Sequence, residues 1–313
     1  MKTAKTQPQS LRRLLIALLI LMLASLACTV DLGLSDDGED IALEQTRVVL
    51  QQTQVALENM AQQNQLVEIT EESAPIVETE PVDPPQEPDI SYEGIRFSFD
   101  PSITANVNAA TVPGQNMGED YMPGETYPTY YEFTFSGYAI ADHFHTPVIA
   151  IYPVDEYRAI SPTASDVIDN LQATLASQPA GGNMSNLPFL PIWPAAQIFS
   201  AQVAYFDFQN GTGVRYLTMY GQALWPVDNQ NLFYTYQGLT DDGRYYISAV
   251  LPVMHLGLPD DGLTLVDDWM AFEDNWDSYI AETIAWLNNQ YVGNFFPGLD
   301  LLDQMMASFE INP

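Results

Sequence analysis

The chain has 313 residues with 41 acidic against nine basic side chains, a formal charge of −32. Such a surface repels nucleic acid and anionic lipid headgroups, because phosphate contacts need Lys and Arg. A single cysteine cannot close a disulfide within the chain, so the fold must rest on a core, which this length and 17 Tyr, 14 Phe and 5 Trp can supply.

The amino terminus decides where the rest of the chain goes. Lys2, Lys5, Arg12 and Arg13 form a basic head, and Leu14 to Cys28 is an apolar run, LLIALLILMLASLAC. A basic head, an apolar stretch and small residues before a cut describe an export signal. The run is short of the roughly 20 residues of a comfortable membrane span. It ends at the one cysteine. Ala24-Ser25-Leu26-Ala27-Cys28 resembles the lipobox of bacterial lipoproteins, with Ser25 where that pattern usually has Leu. The resemblance implies a diacylglyceryl group on the Cys28 thiol, cleavage just before it, and acylation of the new amino terminus. It makes the membrane a partner through the lipid anchor. An uncleaved anchor or an ordinary signal peptide are the alternatives, and either also places the domain outside the cytoplasm. Acylation would remove a free thiol that an oxidising compartment makes a liability. Thr29, not Asp, follows the cysteine. The expected location is therefore the outer face of the cell membrane, or the outer membrane where the envelope has one.

Removing residues 1–27 leaves five Arg, no Lys and all 41 acids, a net charge of 5 − 41 = −36. The acids read mainly as a solvated face. No stretch follows the EF-hand spacing. Residues 28–40 are a lipidated acidic leader. Residues 41–66 hold neither Pro nor Gly, and Leu43, Leu50 and Leu57 recur at heptad spacing. This predicts a helix of about 39 Å. Thr46 and Thr53 weaken the second seam position, so a lone spacer helix is preferred over an oligomer-forming coiled coil. Residues 67–90 alternate Pro with Glu and Asp. They predict an extended linker of up to roughly 70 Å. Spacer and linker together would hold the domain as far as about 100 Å from the bilayer.

Residues 91–313 are the expected globular domain. Tyr92–Phe99 and Thr129–Ile140 alternate as strands, and Pro147–Val154 is a wholly apolar run suited to a buried strand. Val112–Pro128 reads as a loop. Ser165–Ser177 predicts a helix capped by Ser165. Leu187–Pro194 has three Pro around Phe189, Leu190, Ile192 and Trp193, which excludes regular structure. It reads as a packed ridge or an exposed apolar lip. Ile198–Phe208, Val214–Trp225, Leu232–Leu239 and Arg244–Val253 then predict four strands in an antiparallel meander, with Asn-Gly and Asp-Gly marking hairpin turns. From Leu265, Trp269, Phe272, Trp276, Ile280, Ile284 and Leu287 fall at helical spacing. Leu299–Phe309 predicts a closing helix. The fold class expected is α+β, an antiparallel sheet with helices packed on it. Tyr92-Glu93-Gly94-Ile95-Arg96-Phe97-Ser98-Phe99-Asp100-Pro101 and Leu302-Asp303-Gln304-Met305-Met306-Ala307-Ser308-Phe309-Glu310 resemble the opening strand and final helix of the PsbP-like sandwich. In that family a Ser-Phe pair leads into a last strand, and members mostly bind and scaffold. The resemblance carries no site residues.

Catalytic signatures are absent. There is no Gly-x-Ser-x-Gly, no glycine loop with Lys, and no Lys in the mature chain for a Schiff base. Asp142-His143-Phe144-His145 is the one histidine cluster. On a strand both imidazoles would share a face and could meet zinc or copper, with His255 or a carboxylate as third ligand. A polar loop beside a strand end is the preferred reading, so no metal, cofactor or catalytic residue is assigned and only Cys28 is named, for lipidation. Tyr130, Tyr131, Trp193 and Trp225 are candidates for the walls of a cleft that holds sugars or peptides, with core packing the preferred reading for most of them. The function expected is a non-catalytic binding module for an extracytoplasmic protein or small ligand. The alternative is an exported carboxylate-dependent hydrolase acting on glycans.

Overall fold

The computed structural model describes residues 89–118, 124–179 and 186–313. Cys28, the predicted spacer helix and all but the last two linker residues lie outside them. The described residues belong to a unit spanning Asp83–Pro313. It is mixed α and β, with antiparallel sheets.

The main sheet has seven strands. In chain order these are β3 (Thr104–Val112), β4 (Tyr130–Tyr138), β5 (Val148–Pro153), β7 (Ala201–Phe208), β8 (Gly211–Thr218), β10 (Phe233–Thr240) and β11 (Tyr245–Pro252). They lie side by side as β3-β4-β5-β11-β10-β8-β7, each pair antiparallel. The middle strands β5, β10 and β11 are buried along nearly their whole length. Both faces of the sheet are therefore covered, and the two-residue alternation sorts side chains between two cores. Ile149, Ile151, Ile247, Ala249 and Leu251 face one core. Ala150, Tyr152, Tyr246 and Tyr216 face the other.

The second core is closed by α1 (Val154–Ile160) and α2 (Pro162–Ser177). Two expectations change here. Val154 opens α1 rather than ending β5, and α2 starts at Pro162, not after Ser165. Ser161 is the cap: its side chain accepts from the Ala164 amide at 3.2 Å. Pro at the first helical position has no amide to leave unpaired, and its fixed φ suits the turn.

The first core is closed by α4 (Trp276–Asn288) and α5 (Leu299–Ala307). The helix expected from Leu265 onward is in fact three pieces. A 3₁₀ turn covers Gly262–Leu265, α3 covers Trp269–Asp274, and α4 begins after Asn275. Asp268 caps α3 by accepting from the Met270 and Ala271 amides. Asn275 ends one helix and starts the next, at φ −100° and ψ 5°.

A hairpin completes that layer. The stretch expected as one strand, Tyr92–Phe99, is the turn and second arm of β1 (Ile90–Tyr92) and β2 (Ile95–Phe97). Glu93 and Gly94 sit at φ 46° and 76°, the double positive φ of a tight hairpin turn. The last strand, Glu310–Ile311, pairs with the other edge of β2. A Cβ at Gly94 would overlap the Asn312 carbonyl. Gly94→Ala is thus expected to lose about 1–2 kcal/mol, checked by urea unfolding. A midpoint unchanged from wild type would mean the chain ends are held elsewhere.

Candidate functional site: an uncharged aromatic cleft

The site is built from Leu187–Pro194 and from the end of β8. Leu187–Leu190 is pressed onto the sheet and buried, while Ile192 and Trp193 are half-exposed. The packed-ridge reading therefore holds for the first half, and the second half is partly covered rather than an exposed lip. The clamp is Gln237, fully buried on β10. Its Oε1 accepts from the Leu190 amide at 3.0 Å, and its Nε2 donates to the Leu190 carbonyl at 3.3 Å. The Ser248 hydroxyl also donates to that carbonyl. Tyr246 donates to Gln237 Oε1 at 2.6 Å, and Tyr216 to the Pro188 carbonyl at 2.9 Å. A segment rich in Pro cannot satisfy its polar groups with a ladder of its own, so the sheet supplies side chains for them.

With the segment pinned, Trp193 stands at the edge of the second face. Its ring stacks on His145, centroids 4.9 Å apart and planes within 3°. It meets Phe189, Tyr220 and Phe233 edge-on at 4.8, 5.3 and 5.7 Å. The strand expected over Val214–Trp225 stops at Thr218. The chain then leaves the main sheet as β9 (Tyr220–Gly221), which pairs with β6 (Ala196–Gln197). A cleft of about 760 Å³ lies here. Phe144, His145 and Trp193 line it together with Tyr220–Ala223, Trp225, Gln230 and Asn231.

The loop after Trp225 is shaped by Asp228, which is fully buried. Its Oδ1 accepts from the backbone and side-chain nitrogens of Asn231, both at 2.9 Å. Its Oδ2 accepts from the Gly262 amide at 2.9 Å and the Trp225 indole at 3.4 Å. One carboxylate thus sets two lining residues and does not itself line the cleft.

The histidines have other partners than a metal. His143 and His145 sit in the loop between β4 and β5, not on a strand, so the shared-face geometry is missing. His143 Nδ1 accepts from the His145 amide at 3.0 Å, which leaves Nε2 to donate to the Leu232 carbonyl at 2.9 Å. That assignment is neutral, and burial holds the pKa below the usual imidazole range. Burial, and then the neighbouring His143, push His145 down to about 4. Its Nε2 is buried without a hydrogen-bond partner. His255 is enclosed by Trp286 and Phe295, and burial lowers its pKa too. Among the described residues no group of three or more His, Cys, Asp or Glu could hold a metal ion.

Of the four aromatics proposed as cleft walls, Trp193 and Trp225 line this cleft. Tyr130 and Tyr131 do not. Adjacent strand residues point to opposite faces: Tyr130 packs on Tyr127 and Tyr152 on the α1–α2 side, and Tyr131 approaches Tyr92 on the other. Phe144, Tyr220, Gln222, Gln230 and Asn231 carried no local signal.

Among the described residues no Asp, Glu, Lys or Arg lines the cleft, although the chain holds 41 acids. Ser and Cys are absent from the described lining as well, and its hydroxyls are those of Thr146 and Tyr220. What it offers is aromatic surface and side-chain amides. No family model, no curated protein and no solved structure matches the chain. No helix among the described residues is long and apolar enough to cross a membrane.

Proposed function

We propose that this chain is a lipoprotein held to the extracytoplasmic face of a membrane through Cys28, and that its folded part is a non-catalytic binding module with the aromatic cleft as its site. The observation that carries the binding reading is the cleft's lining. A concave, largely apolar surface with a few polar tips, of a volume in the range of small-ligand sites, suits recognition. The hydrolase alternative needs two carboxylates flanking a bond, and none lines this cleft among the described residues. The fold proposed is a PsbP-like sandwich containing a four-strand meander. The consecutive antiparallel pairing of β7, β8, β10 and β11 supports the meander. The two stretches that carry the family resemblance also pack together. Ser308 Oγ accepts from the Ser98 amide at 2.9 Å, and Phe309 stacks on Phe97 at 4.1 Å.

Two experiments test the reading. Cys28→Ser is expected to move the protein from the membrane to the soluble fraction of the native host, and intact mass of the wild type should show a trimmed, acylated chain. A bare thiol on an untrimmed precursor would overturn the anchor. Titrating the full chain with solubilised cell-envelope extract should change tryptophan emission saturably, and Trp193→Phe with Trp225→Phe should abolish the change. The extract's mass spectrum should be unaltered by incubation, since turnover would overturn the non-catalytic reading.

A further inference from the structure

We infer that the cleft takes an uncharged sugar chain, held by ring stacking on its aromatic wall and by hydroxyl contacts to its amide rim. This rests on the binding-module reading and names the ligand class for the same site.

The first step is charge. A charged group seated in the cleft would give up part of its water and meet no opposite charge among the described lining residues, which is unfavourable. The surrounding protein is heavily acidic, so an anion would also be repelled on approach. A cation would be drawn to the surface in general but would find no carboxylate among the described lining residues. The cleft therefore selects for neutral ligands.

The second step is the kind of neutral ligand. Gln230 is exposed, and its side-chain amide has no partner within the described residues. Gln222 uses Nε2 to donate to the Pro194 carbonyl at 2.9 Å, which leaves Oε1 as an acceptor. Asn231 donates one Nδ2 hydrogen to Asp228 and keeps Oδ1. Thr146 adds a hydroxyl to the lining. Free groups that both donate and accept are the complement of hydroxyls, which also do both. A purely apolar ligand would strip water from these tips without replacing its hydrogen bonds. A pyranose ring has an apolar C–H face bordered by hydroxyls. The negative π face of an aromatic ring attracts such weakly positive hydrogens. Trp193 is held in place, because its ring stacks on His145 and makes T-shaped contacts with Phe189, Tyr220 and Phe233. A ring already held this way loses little entropy on binding.

The test uses the full acylated chain in neutral detergent, with tryptophan emission and calorimetry as readouts. The neutral probes are cellohexaose and chitohexaose. The charged ones are hexagalacturonate and the deacetylated chitosan hexamer, and an uncharged proline-rich peptide is the competing class. At least one neutral hexaose should bind saturably, with the charged probes at least about tenfold weaker. Trp193→Ala should weaken it about tenfold or more. Gln230→Ala should weaken it about fivefold, the worth of one net hydrogen bond. Gln230 is exposed and unpartnered, so that variant keeps the fold even where Trp193→Ala does not. No saturable binding of either neutral hexaose at millimolar concentration overturns the sugar assignment. So does equal binding of neutral and charged hexamers, or binding that survives both substitutions. Trp193-dependent binding of the peptide alone overturns it while leaving the binding-module reading in place. Silence of the sugars with a response to envelope extract does the same, and silence in both removes the two readings together.

Discussion

Arg215→Ala is expected to destabilise the domain by about 3–5 kcal/mol, a large share of the 5–15 kcal/mol that holds a typical domain together. Arg215 lies on β8, 5% exposed. Its Nε and Nη2 donate to the two carboxylate oxygens of Asp303 on α5 at 3.2 and 3.0 Å. That bidentate fit is the strong form of the pair. Nη1 donates to the Gln202 carbonyl on β7. Tyr234 of β10 donates to Asp303 Oδ1 at 3.0 Å. Gln202 itself sits at φ 54°, where the β7–β8 register shifts. It holds the end of α4 by donating from Nε2 to the Leu287 and Gln290 carbonyls at 2.7 and 2.9 Å. One guanidinium therefore ties two neighbouring strands to the closing helix and braces a bulge. Removing it leaves a carboxylate without its cation and a bulge carbonyl without its donor. The cost comes mainly from those stranded groups, not from the net worth of the pair. The double change Arg215→Met with Asp303→Leu should accordingly recover much of the loss. Urea unfolding of the full chain followed at the domain's tryptophans measures both. A loss below about 1 kcal/mol for Arg215→Ala would show that water reaches the pair and screens it.

The same network shows what could be read from the chain alone. Tyr131, Phe133 and Phe135 alternate, and β4 is where they are. Val148–Tyr152 is an apolar run, and β5 lies in the middle of the sheet. Both patterns are imposed by burial, so burial can be inferred back from them. The Asp-Gly turn at Asp242–Gly243 is legible because a positive φ favours glycine. Strand β3 was not foreseen. It is an edge strand, TANVNAATV, with mostly exposed residues, so no apolar periodicity marks it. Glu93-Gly94 hides a hairpin because Glu is an unusual first residue for that turn. The break at Asn275 interrupts a stripe that would also fit an unbroken helix.

The site was legible only as ingredients. Trp193 and Trp225 stood out as aromatics, and Leu187–Pro194 as a segment that cannot be regular. Their meeting depends on Gln237 gripping Leu190 across 47 residues, and on the chain leaving the sheet after β8. Neither has a local cause. Gln237 was the available signal: a Gln in the middle of FYTYQGLT, a strand buried at every position, must have partners. Recognising that it needed them would not have said where they were.

His145 carries the other large expectation, a loss of stability on acidification that Phe at this position removes. In the folded chain its pKa is pushed down to about 4 by burial and by His143, while the unfolded chain titrates near 6.5. Above pH 6.5 the ring is neutral in both states, and its contribution is fully present. Between there and pH 4 the unfolded chain takes up a proton that the folded chain refuses, so stability falls as pH falls. Below pH 4 both states are protonated and the loss stops growing. The window is worth up to about 3 kcal/mol, reduced by the ring's partial exposure. His143 and His255 are shifted in the same direction by burial, and many carboxylates titrate at the lower end. His145→Phe isolates one term against that background. It keeps an aromatic ring against Trp193 and Phe233, where His145 now lies at 4.9 and 4.6 Å, and it carries no proton. Unfolding free energies near pH 7 and near pH 4 should therefore lie closer together for the variant than for wild type, because the wild type loses more. Equal losses in the two proteins would mean the imidazole is hydrated in the native state. The charge would then reach water instead of the rings, and the inner wall of the cleft would not be the apolar surface described above.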